Sequence, residues 1–270
     1  MKLEIISREP QVLRFDTPLL FVHGSCHAAW CFEENFLPYF AEKGFSSHAV
    51  SLRGHGSSEG SARLKWTSVA DYVEDVFQAA KQLAKTPVVI GHSLGGLVVQ
   101  KFLENHVVPA GILLAPSPSN GMFFSGSRLF FQNPFLFVRV FLTQDVQIVY
   151  GTPELVKKSL FSADFEDAKI AEYTKRLGKE SFRAFWEMIY NLPNPKRVTT
   201  SILVLGGEKD AIIPPHEIKE TARAYNADYK IFLDTTHDLM LERNWQTVAD
   251  FMIDWLDKNS SKFKVQSSKS

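Results

Sequence analysis

The stretch Pro87-Val88-Val89-Ile90-Gly91-His92-Ser93-Leu94-Gly95-Gly96-Leu97 constrains this chain more than any other. An apolar, β-branched run ends at Gly91, and an apolar-periodic segment from Leu97 to Leu103 reads as a helix. The five residues Gly91-His92-Ser93-Leu94-Gly95 therefore fall at a strand-to-helix turn, the context in which Gly-x-Ser-x-Gly presents its serine as a nucleophile. A serine held in a strained backbone conformation needs small neighbours, so that strand and helix can approach closely. The turn also sets the start of the helix beside the serine hydroxyl.

The remainder of the chain supplies a scaffold for such a turn. It has 270 residues, of which 45% are hydrophobic, and its formal net charge is +0. That composition suits one α/β domain with a large core, and its balanced charge gives no basis for binding nucleic acid or an anionic membrane. Met1–Ile5 carries charge inside what would be an apolar signal core, so no secretory signal is expected. Cys26 and Cys31 are too few and too close for a disulfide framework; they point to packing roles and a reduced, cytoplasmic compartment.

Strand-like runs occur at Lys2–Arg8, Val12–Phe15, Leu19–Val22, Ser47–Leu52, Val88–Ile90, Gly111–Leu114, Ile202–Leu205 and Lys230–Leu233. The first two, split by Glu9-Pro10-Gln11, read as an antiparallel hairpin. Helix-like stretches alternate with the rest at Trp30–Glu42, Ser68–Ala84, Gly95–Glu104, His216–Tyr225 and Trp245–Leu256. This alternation predicts a mostly parallel sheet with helices on both faces. Residues 259–270 read as a flexible polar tail.

The rhythm breaks between Pro116 and Val198, where no strand is evident. Met122–Leu142 is dense in phenylalanine, but Arg128, Gln132, Asn133, Pro134 and Arg139 interrupt it, so an integral membrane segment is not expected. Pro153–Asn191 is charged and helix-forming. The prediction is a core of residues 1–116 and 199–258 with a helical cap, 117–198, inserted over the C-terminal edge of the sheet. Most cap aromatics must pack against the core; a few facing Ser93 would form an apolar pocket for a small-molecule substrate, and a peripheral lipid contact is a lesser alternative.

A serine nucleophile needs a base within hydrogen-bond reach, and the base needs an orienting acid. The strand Ser201–Leu205 leads into Gly206-Gly207-Glu208-Lys209-Asp210, which makes Asp210 the first candidate acid and Glu208 the second. The next strand leads into Asp234-Thr235-Thr236-His237, which places His237 on the same sheet edge as Ser93 and Asp210. None of the other histidines has that placement, and none pairs with acids at metal-ligand spacing. An acyl-transfer oxyanion would need two donors. The Leu94 N–H is one. The loop His23-Gly24-Ser25-Cys26 supplies the other, from Ser25 or, second, Cys26.

At this point the chain resembles the α/β-hydrolase superfamily. The matching pieces are Phe21-Val22-His23-Gly24, Arg53-Gly54-His55-Gly56-Ser57-Ser58, Gly91-His92-Ser93-Leu94-Gly95-Gly96, Gly207-Glu208-Lys209-Asp210 and Thr236-His237-Asp238. The resemblance implies an α/β-hydrolase fold and a cofactor-free ester hydrolase with a helical lid. The segment from His23 to Cys31 also resembles the plant methylesterase and hydroxynitrile lyase group. Lyases of that group follow the catalytic histidine with a lysine, whereas Asp238 stands here, which disfavours cyanide release. Three readings follow: an esterase; the same machinery on C–C, thioester or amide bonds or in perhydrolysis; and a ligand receptor with little turnover.

Overall fold

Strands β4 (Val88–His92), β5 (Gly111–Leu114) and β6 (Ile202–Gly207) are buried at every position. Successive side chains on a strand point to opposite faces, so both faces of the sheet are covered at its centre. The computed structural model describes residues 1–266, with the side chains of residue 129 and of residues 260–266 left out. The other strands are β1 (Glu4–Arg8), β2 (Phe15–Val22), β3 (Phe45–Ser51) and β7 (Asp228–Phe232), and the sheet runs β1-β3-β2-β4-β5-β6-β7. All neighbours are parallel except β1 on β3. The sheet is mostly parallel and covered by helices, as the alternation of strands and helices predicts.

Helices α1 (Trp30–Glu33), α2 (Phe36–Glu42), α3 (Val69–Lys81) and α4 (Leu94–Leu103) connect the first strands. Five helices separate β5 from β6: α5 (Phe123–Gln132), α6 (Pro134–Thr143), α7 (Pro153–Leu160), α8 (Asp167–Arg176) and α9 (Phe182–Tyr190). Helices α10 (Pro215–Ala224) and α11 (Trp245–Gln266) complete the chain. The largest buried side chains include Phe21 of β2 and Phe32, Phe36 and Phe40 beneath it, with Phe21 ring centroids 5.0–6.1 Å from the other three.

Three local expectations are corrected. The hairpin of Lys2–Arg8 with Val12–Phe15 does not form. Instead β1 pairs antiparallel with β3, and Val12 and Leu13 are exposed. The sheet edge beside β3 offers β1 a full ladder, whereas the short Glu9–Gln11 link would leave only a two-stranded ribbon. The expected helix Trp30–Glu42 divides into α1 and α2 at Glu34-Asn35. The expected tail is helical as far as Gln266, because α11 continues through residues 259–266; residues 267–270 lie outside the described chain.

Close approach of strand and helix at the β4–α4 turn depends on Gly95. A Cβ there would lie 2.3 Å from the carbonyl oxygen of His23 and 2.4 Å from that of Val22. Gly126 on α5, by contrast, has open space around it. Gly95→Ala is expected to destabilise the fold by about 3 kcal/mol or more. Gly126→Ala should be neutral or stabilising by roughly 0.5–1 kcal/mol, because alanine loses less backbone entropy in a helix. Urea unfolding midpoints of the two variants check this.

Candidate active site

Ser93 sits at the junction of β4 and α4 with φ 52° and ψ −117°, outside the ordinary regions for an L-residue. Its backbone is fully engaged there. The Ser93 N–H donates to Leu114 O at 3.0 Å, and Ser93 O accepts from the N–H groups of Gly96, Leu97 and Ser117 at 2.9, 3.3 and 3.0 Å. These bonds hold the strained residue in place and leave its side chain as the group that projects beyond the sheet edge.

The loops after β6 and β7 bring two side chains to that hydroxyl. His237 Nε2 lies 3.0 Å from Ser93 Oγ, and His237 Nδ1 lies 2.8 Å from Asp210 Oδ2. Asp210 Oδ1 accepts the N–H groups of Ile212 and Ile213, both at 2.8 Å, which fixes the carboxylate plane. All three sequence candidates are thus brought into one hydrogen-bonded chain. Glu208, the second candidate acid, is exposed and its carboxylate accepts from the Asp234 N–H. Burial of His237 opposes its protonation, but the charge and hydrogen bond of Asp210 outweigh burial, so its pKa lies above the ordinary value.

The loop after β2 passes close to Ser93. A Cβ at Gly24 would fall 2.9 Å from Ser93 Cβ and 2.8 Å from His92 Nδ1, so only glycine fits. Ser25 lines the same cavity as Ser93. The next residue, Cys26, has φ 64° and is gripped from both sides. Its N–H donates to Glu180 Oε2 at 3.1 Å, and its carbonyl accepts the Gly178 N–H at 2.8 Å. The Cys26 amide is therefore committed elsewhere. Leu94 is the first residue of α4, where an N–H has no acceptor within the helix.

Sequence reasoning missed Glu180, because one acid in a charged helical stretch carries no local signal. It is wholly buried between the inserted helices and the sheet. Besides the Cys26 N–H it accepts from Tyr72 OH at 2.7 Å, and His55 Nε2 lies 3.4 Å away. Burial alone would raise the Glu180 carboxyl; the His55 charge and these hydrogen bonds hold it below its usual value. A second missed pair is His27 with Asp238. His27 Nε2 lies 3.1 Å from Asp238 Oδ2, and His27 Nδ1 lies 2.9 Å from Ser25 O. Asp238 is fully buried and is not among the residues lining the cavity, so its charge lies beneath the Ser25 loop rather than facing the cavity.

Among the described residues one group has the spacing of metal ligands: His92, His237 and Asp238. Hydrogen bonds already occupy three of its ring nitrogens. Both ring nitrogens of His237 are committed to Asp210 and Ser93, and His92 Nε2–H donates to His237 O at 3.1 Å. Burial, with the charge of His237 beside it, pushes His92 down to about 3, so it stays neutral.

The cavity over Ser93 has a volume of about 470 Å³, within the range of small-molecule sites. The sheet side contributes Ser25, Ser93, Ser117 and Ile212. The inserted helices contribute rings such as Phe130, Phe137 and Trp186. Lys158 is the one charged residue among those lining it.

The model of the alpha/beta hydrolase family matches residues 19–251. The chain belongs to the alpha/beta hydrolase family. Solved structures agree on the fold. A monoacylglycerol lipase of Paleococcus ferrophilus is 19% identical, with 96% of this chain and 100% of that chain covered at a TM-score of 0.69. A carboxylesterase of the ammonia-oxidizing thaumarchaeon Nitrososphaera gargenis is 18% identical, with 96% of each chain covered and a TM-score of 0.72. An enol-lactonase of Burkholderia xenovorans LB400 is 16% identical, with 94% and 96% covered and a TM-score of 0.70. Among curated proteins none matches this alpha/beta hydrolase by sequence.

Glu180→Ala would leave Tyr72 OH, the Cys26 N–H and His55 without their common partner. The expected loss is about 3–5 kcal/mol of stability in urea unfolding. Glu180→Gln keeps one acceptor oxygen, enough for either the Tyr72 or the Cys26 donor, and should lose less.

Proposed function

We propose that this alpha/beta hydrolase is a cofactor-independent serine esterase. It cleaves a carboxylic ester with an apolar acyl or alcohol part through an acyl-enzyme, with the inserted helices acting as a cap. One observation carries the reading: the Ser93–His237–Asp210 chain ends at a cavity whose lining is mostly apolar.

In this mechanism the Ser93 Oγ–H donates to His237 Nε2, and the imidazole takes the proton as Oγ attacks the acyl carbon. Asp210 accepts from His237 Nδ1–H throughout and stabilises the imidazolium. The negative charge that develops on the acyl oxygen is received by the N–H groups of Leu94 and Ser25. Engagement of the Cys26 amide by Glu180 supports Ser25 over Cys26 as the second donor. Collapse expels the alcohol, which takes the proton from His237. Water, deprotonated by the same histidine, then releases the acid and regenerates Ser93. Each preorganised donor is worth roughly 10²–10³-fold in such a step.

The raised pKa of His237 sets the pH dependence. The ring must be neutral to act as base, so activity is lost as pH falls through its pKa. The acid limb of kcat/KM is therefore expected above the ordinary histidine value of about 6.5. Asp210→Asn removes the main charge that raises this pKa and leaves burial, which lowers it, opposed only by the charge of Asp238. The limb should move to lower pH while turnover drops by roughly 10⁴-fold. Rate profiles with p-nitrophenyl esters measure both effects.

Substrate preference follows from the lining. Across p-nitrophenyl esters from acetate to octanoate, kcat/KM should rise by up to about fourfold per added methylene, the value of burying one CH₂. Ser93→Ala should abolish both this turnover and labelling by a fluorophosphonate. An unlabelled wild-type Ser93 would refute the esterase reading.

A further inference from the structure

The helical pair α5–α6 has an unusual surface. Phe123, Phe124 and Phe131 on α5, and Phe135, Phe141 and Leu142 on α6, are each at least 62% exposed. Large exposed apolar side chains crowded onto two adjoining helices are not the scattered kind that any protein surface carries; they mark a surface that meets another apolar phase.

Two observations identify that phase. The first is continuity with the cavity. Phe123, Phe130 and Phe131 are exposed to solvent and at the same time line the cavity over Ser93. The apolar patch and the cavity thus share side chains, and the patch borders an opening of the site. A second copy of the chain docked here would cover that opening. A lipid surface would fill the patch and feed the cavity. The second observation is charge. Between Glu104 and Asp145 the sequence contains no acidic residue, and Arg139 falls within α6; Arg128 on α5 is turned inward, toward Glu217 and the Ile212 carbonyl. Arg139 is exposed, and so is Lys158, which lines the cavity. Phenylalanine and leucine flanked by cations, without acids, suit the headgroup region of a bilayer that carries anionic lipid. Among the described residues no helix is long and apolar enough to cross a membrane, so the contact would lie in the plane of the interface.

We propose that α5–α6 docks this protein on a lipid surface and that its ester substrate enters the cavity directly from that surface. The docking stands on the patch itself; the delivery of substrate rests on the esterase reading above. Phe135 and Leu142 do not line the cavity, so they can be changed without altering the site.

The test is co-sedimentation with vesicles of phosphatidylcholine and phosphatidylglycerol. It uses wild type, Ser93→Ala, and the double variant Phe135→Gln/Leu142→Gln. Wild type and Ser93→Ala should pellet with the vesicles alike. The double variant should partition at least roughly tenfold less, as expected for losing two apolar side chains from an interface. It should also hydrolyse soluble p-nitrophenyl acetate at the wild-type rate while turning over a vesicle-borne long-chain ester more slowly. Vesicle binding without turnover of any ester would keep the docking and remove the esterase. The docking is overturned if wild type stays in the supernatant or if the double variant binds as well as wild type. It is equally overturned if sedimentation velocity shows a dimer that the double variant dissolves and the vesicles do not capture.

Discussion

The turn at Ser93 is the constraint on which the rest of the molecule depends. A non-glycine residue at φ 52° is costly, and it persists only where its surroundings over-determine it. Here they do so through backbone bonds from three directions: Leu114 at the end of β5, the first turn of α4, and Ser117 beyond β5. The same requirement for close approach reaches across to β2, whose terminal carbonyls leave no room for a side chain at Gly95. The central strands thus meet at one residue, and their shared edge becomes the place where the chain can present a hydroxyl.

Buried charge organises the layer around that hydroxyl. Asp210 is held by two backbone amides and faces His237. Glu180 reaches from the inserted helices to hold Cys26 in a left-handed conformation, one residue from Ser25. Asp238 pairs with His27, which in turn bonds the Ser25 carbonyl. Each carboxylate is expensive to bury and is matched by donors that make its removal more expensive still. The result is a loop after β2 whose geometry is determined jointly by the core, the inserted helices and the residue following His237.

Above this polar layer the environment turns apolar. The cavity passes from Ser25, Ser93 and Ser117 at its base to a lining rich in rings, and the rings of α5 continue onto the outer surface. The lining thus runs from a hydrogen-bonded centre at Ser93 to an aromatic rim shared with the outer surface.

The sequence by itself determined a mostly parallel sheet and the turn at Ser93, and it named the three side chains that fold into one hydrogen-bonded chain. Strand ends are legible as apolar runs that stop at glycines and acids, and a parallel sheet brings those ends to one edge; Ser93, Asp210 and His237 could therefore be assigned from order alone. Local pattern failed where pairing partners compete. Lys2–Arg8 is as good a hairpin arm as an edge strand, and only the free edge of β3 decides between them. Tertiary structure alone decided the roles of Glu180, His27 and Asp238. Their partners lie far away along the chain, as with Cys26 and Glu180, and no local spacing records such a contact. It also decided which aromatics pack and which face outward, because a phenylalanine reads the same in sequence whether another ring or solvent covers it.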